Sequence, residues 1–150
     1  MASRASKDPR RRARESALQI LYHSEVGQRP VDEAAETFFS QQWPDAAAPP
    51  ADLRRFAAAL AIETAAKLDA IDSLIAGTTE RWRPERMATI DRLILRMAIC
   101  ELMRRSDAAP PAVVINEALE LARTFSSEES VKFINGMLDA IRKKLDSSEV

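Results

Sequence analysis

The sequence predicts an all-α fold built as two packed three-helix bundles, and three features predict it. The chain has three glycines, and its eight prolines stand at 9, 30, 44, 49, 50, 84, 110 and 111, which leaves long segments free of helix breakers. Within those segments apolar residues recur at three- and four-residue steps, the period of one helix face. No run alternates apolar and polar residues with the Val, Ile, Thr and aromatic enrichment of a strand.

Taken in order, Pro9 suits the first turn of a helix running to about Val26, with Gly27 as its stop and Pro30 just beyond. A second helix spans Val31 to about Gln42 and ends before Pro44. Pro49 and Pro50 close an Ala-rich loop, after which Asp52 can cap a long helix. Its Leu53, Phe56, Leu60, Leu68, Ile71 and Ile75 form one apolar stripe ending at Gly77. A short helix is expected over Thr79 to Trp82. From Pro84 the pattern resumes through Ile90 to Met103, apolar most of the way round and therefore a buried helix. Pro110 and Pro111 open another helix to about Thr124, and Ser126 with Glu129 has the spacing of a capping box for the last. The expected domain organisation is a basic flexible arm over residues 1–9 and one domain over 10–150, made of two helical subdomains.

At 150 residues, with 46% hydrophobic and 30% charged residues, the composition is that of one globular domain rather than a disordered chain. The net charge of -1 is unevenly spread. Arg4, Lys7, Arg10, Arg11, Arg12 and Arg14 against Asp8 give the first 14 residues +5, so the rest carries -6. A basic arm on an acidic body suits phosphate at one end and a basic partner on the other, with a solvated tail as the bland alternative. No stretch approaches 18 uninterrupted apolar residues and no signal-peptide core follows the basic start, so the expectation is a cytoplasmic protein without a membrane role.

An enzyme is not expected. His23 is the only histidine and Cys100 the only cysteine, so no metal site and no Cys/His nucleophile pair can be assembled, and three scattered glycines offer no phosphate loop or cofactor fingerprint. Binding chemistry is better represented. Arg10, Arg11, Arg12 and Arg14 point around much of one helix circumference, and arginine pairs with phosphate bidentately and stacks on bases. In the last helix Val131, Ile134, Leu138, Ile141 and Leu145 define the buried stripe, and Phe133 lies away from it beside Lys132. Phe133 either stacks on a base or packs on another helix. Gly136 implies close approach of a helix or ligand. On the first helix Leu18, Tyr22 and Val26 form a second apolar side, suited to a protein partner or to a second intramolecular contact.

Three segments, RRRARESALQILYHSE, DRLILRMAICELMRR and VVINEALELARTFSSEESVKFINGMLDAIRKKL, resemble the NusB family in order and spacing, over nearly the whole chain. The resemblance implies a transcription antitermination factor that binds the boxA element of ribosomal RNA transcripts. It implies as partners the small-subunit ribosomal protein acting as NusE and the RNA polymerase antitermination complex, with no cofactor. It assigns RNA binding to Arg10, Arg11, Arg12 and Arg14 and to Phe133, bordered by Glu129 and Lys132, and the partner surface to Tyr22, Asp91 and Arg92. Charge reversal at Asp91 is then expected to impair the partner and spare RNA. Family members often have glycine where this chain has Ser126, which implies a difference in the turn before the last helix. The alternatives are a NusB-like domain of an rRNA cytosine methyltransferase, disfavoured because no cofactor loop or catalytic cysteine follows, and a homodimer whose RNA face is occluded.

Overall fold

The computed structural model describes residues 9–79, 84–105 and 109–147, so the arm over 1–8 and most of the short helix expected at 79–82 lie outside the described residues. Seven α-helices occur among these residues, without a strand. They fall into two compact units, Met1–Ala65 and Ala66–Val150.

The first unit holds α1 (Pro9–Gly27), α2 (Val31–Thr37) and α3 (Ala51–Ala66). Pro9 therefore belongs to α1, where its missing N–H costs nothing because first-turn amides have no helical acceptor. Ala13, Ala17, Ile20 and Leu21 are buried on α1, which packs on α2. The end of α2 widens into a π-helical turn, Phe38–Gln42, and Trp43 turns extended (φ -62°, ψ 125°), the conformation that a following proline favours. Phe38, Phe39 and Trp43 meet there, with ring centroids 5.1 to 6.2 Å apart.

Two helix ends differ from expectation. The left-handed residue beyond α1 is Gln28 (φ 53°), one place after Gly27. A side chain in this conformation costs about 1 kcal/mol that glycine avoids. Gln28→Gly is accordingly expected to stabilise the protein by about 1 kcal/mol, read as a rise in the denaturant midpoint at unchanged m value. The long helix expected to reach Gly77 is interrupted at Lys67 (φ -102°, ψ 17°), which separates α3 from α4 (Leu68–Ala76). Leu68, expected in the same stripe, is exposed just beyond the break, and the spacing of apolar residues in the sequence had no means of registering it.

The second unit comprises α4, a 3-10 turn (Pro84–Arg86), α5 (Thr89–Arg104), α6 (Pro111–Phe125) and α7 (Glu128–Ser147). Helices α5, α6 and α7 pack pairwise as a three-helix bundle, and α4 adds to α5 and α7. All residues from Leu93 to Leu102 are buried, as an apolar surround of α5 requires. Arg96, among them, reaches Asp72 on α4 through two parallel bonds of 3.0 and 2.8 Å. That fork satisfies a guanidinium which would otherwise be desolvated without an acceptor.

Candidate functional site

In the first unit, the arginines at the start of α1 rest on aromatic rings from elsewhere in the unit. The Arg10 guanidinium lies 4.3 Å and that of Arg14 5.5 Å from the Phe56 centroid. Phe56, expected as a member of the α3 core stripe, is instead a half-buried platform under two cations. Arg12 lies 4.7 Å from the Trp43 ring and donates from Nη2 to Asp45 Oδ2 at 2.7 Å. Such cation–π contacts hold a flexible side chain near one position.

The four arginines are not equivalent. Arg10 is exposed and Arg11 and Arg12 are half-buried, whereas Arg14 is only 4% exposed. Among the four arginines expected to meet phosphate, Arg14 is the one whose place on the helix turns it inward. Its guanidinium serves the packing between α1 and α3.

Further along α1, the second apolar side divides. Leu18 is buried, while Tyr22 and Val26, one and two turns later, are exposed. An exposed aromatic and an exposed valine one turn apart offer an apolar patch on α1.

In the second unit, Phe133 is 43% exposed, and Glu129 and Lys132 are exposed on the same helix, α7. Val131, Ile134, Met137, Leu138 and Ile141 form the buried face, so the ring contributes little to the core. Gly136, one turn from Phe133, has open space where a Cβ would stand, with no atom within 4 Å. Of the two approaches expected at this glycine, by a helix or by a ligand, no helix comes within 4 Å among the described residues.

The turn leading into α7 is held by α5. Asp91 accepts hydrogen bonds from the hydroxyls of Ser126 and Ser130, the latter at 2.6 Å. The capping residue is Ser127, not Ser126: the Ser130 N–H donates to Ser127 Oγ at 3.1 Å. Ser126 ends α6 through its N–H to Ala122 O at 2.8 Å, at φ -136° and ψ -134°, outside both the helical and the extended regions. Serine in place of glycine gives the turn a hydroxyl that donates to Asp91. Arg92, next on α5, reaches Thr89 Oγ1 at 3.4 Å.

Sequence reasoning missed Trp43 and Asp45, because the Asp45 bond to Arg12 bridges 33 residues. It also missed Phe125, which continues the Val114, Ala118, Leu121, Ala122 stripe of α6 by spacing yet is 40% exposed where that helix stops. Neither case carries a local signal.

Among the described residues there is no group of three or more metal-ligating side chains and no helix long and apolar enough to cross a membrane. The profile of the NusB family matches residues 11–143. The chain belongs to the NusB family. A NusB relative, the transcription antitermination protein of Koribacter versatilis, is 44% identical over 138 residues, covering 92% of this chain and 91% of its own. The solved structure of T. maritima NusB superposes with a TM-score of 0.79 at 31% identity, over 91% of this chain and 92% of that one. A NusB solved with NusE and double-stranded RNA shares the fold, with a TM-score of 0.78 at 24% identity over 91% of this chain and 97% of that one. The NusB membership agrees with the expectation of a binding factor, since the relatives are named for antitermination and not for catalysis.

Proposed function

We propose that the protein is a cytoplasmic transcription antitermination factor that binds boxA-type RNA of ribosomal RNA transcripts together with the ribosomal protein acting as NusE, and so keeps RNA polymerase processive. Membership in the NusB family over residues 11–143 is the observation that carries this reading. The NusB relative solved with NusE and double-stranded RNA supports the choice of both partners.

The surfaces supply suitable chemistry in each unit. On α1, Arg10, Arg11 and Arg12 offer phosphate contacts, and Arg14 positions the turn from within. On α7, exposed Phe133 offers a stacking face, with Lys132 for phosphate and Glu129 as an acceptor for base or ribose donors. Partner contacts are assigned to Tyr22 on α1 and to Asp91 and Arg92 on α5, where an acidic body suits a basic ribosomal protein.

Titration of labelled boxA-type RNA with the protein, alone and with the ribosomal partner, tests the reading. Tighter binding by the pair is expected, and absence of RNA binding in both cases would overturn it. Phe133→Ala is expected to weaken RNA binding by about 1 to 3 kcal/mol, the worth of one stacked base, at nearly unchanged melting temperature. A large loss of stability with RNA affinity retained would return the ring to a packing role.

A further inference from the structure

Trp43 and Asp45 flank Pro44 on the short segment that leaves the π-helical turn, and both meet Arg12 of α1. The Trp43 Nε1–H donates to Ala47 O at 3.1 Å, which pins the indole against its own loop. Arg12 therefore has one ring under its guanidinium and one carboxylate at its edge, 2.7 Å away. The two side chains of the ion pair keep 23% and 28% of their exposure, so water and a competing anion reach it.

A carboxylate and an RNA phosphate offer an arginine fork much the same thing, two acceptor oxygens and negative charge. Partly exposed pairs of this kind contribute little, equivalent to a factor of about two to five in an equilibrium. The carboxylate is thus readily exchanged, while the indole keeps the guanidinium in place during the exchange.

We infer that Asp45 is an internal competitor for the phosphate that Arg12 takes from RNA, with Trp43 as the positioning residue that lets one anion replace the other without moving the guanidinium. The inference rests on the RNA-binding reading above. Its consequence is selectivity: an RNA must supply a phosphate good enough to displace Asp45, so weak and misplaced polyanions gain less from Arg12.

The test compares the full chain with Asp45→Asn, Arg12→Gln and the double variant, by titration of labelled single-stranded boxA-type RNA across a salt series. Asp45→Asn is expected to tighten binding about two- to fivefold with the log–log salt slope nearly unchanged, since the same phosphate is neutralised once Asp45 is displaced. In the Arg12→Gln background the same change is expected to do nothing. Weaker or unchanged binding by Asp45→Asn would overturn the inference, because the acid would then orient Arg12 or be irrelevant to it. An equal gain in the Arg12→Gln background would also overturn it, by showing a general effect of one fewer negative charge. Trp43→Leu is expected to weaken binding, and thermal unfolding of each variant confirms that it is folded. Elution from immobilised heparin runs in parallel, since its sulfates meet any accessible arginine. Later elution of Asp45→Asn, absent without Arg12, would support the exchange even where boxA-type RNA fails to bind, a result that defeats the RNA reading alone.

Discussion

Replacing Arg10, Arg11 and Arg12 together by alanine is expected to flatten the salt dependence of RNA binding by about 2 log–log units, at roughly 0.7 for each single-strand phosphate that is no longer neutralised. Between about 50 and 200 mM salt, affinity would then change roughly 20-fold less than in the unaltered protein. The reason is counterion release: each arginine that neutralises a phosphate frees a condensed cation, and the gain disappears with the charge. The melting temperature should fall only modestly, because the cation–π contacts of Arg10 and Arg12 and the Arg12–Asp45 pair lie at least partly in water. Arg14→Ala belongs to a different class. With 4% of its surface exposed and its guanidinium over Phe56, its removal takes away packing and a cation–π interaction. We expect a cost of about 1 to 2 kcal/mol in stability with little change in salt slope. Salt-series titration beside denaturant unfolding separates the two classes. An unchanged slope in the triple variant would make the arginine turn a solvated surface, and a slope change in Arg14→Ala at full stability would return Arg14 to the phosphate-binding set.

Asp91→Lys is expected to impair both partner and RNA binding and to destabilise the protein by about 2 to 4 kcal/mol, since the carboxylate takes the Ser126 and Ser130 hydroxyls and reversal removes two charge-assisted acceptors. It also sets an ammonium beside the first turn of α7, where the helix end is already positive. Asp91 thus acts on the turn that leads to Phe133 even if it also faces a basic partner. The expectation of a partner-only residue is thereby joined by a second role, holding the turn before α7. Asp91→Asn keeps an acceptor oxygen for one hydroxyl and should lose much less stability. Thermal unfolding, RNA titration and partner titration on both variants decide the matter. Full stability and full RNA affinity in Asp91→Lys, with only the partner lost, would leave Asp91 a surface charge.

The sequence by itself determined the helical class, the position of most helix ends, the burial of α5 and the place of Phe133 off the buried stripe of α7, while its exposure was left open between stacking and packing. These depend on one chain segment at a time: a 3.6-residue period says which side of a helix is apolar, and prolines say where it starts or stops. The same local signals carried the resemblance to the NusB family, since its motifs are contiguous runs. What only the tertiary structure decided is which neighbour each side chain meets. Phe56 and Arg14 have ordinary places on their helices, yet together they turn a core residue into a platform and a surface cation into a buried one. Asp45 reaches Arg12 across 33 residues, and Asp91 reaches Ser126 across 35. Pairings at that separation arise from how helices are brought together, because no local term in the chain's energy distinguishes one distant partner from another until the backbone is folded.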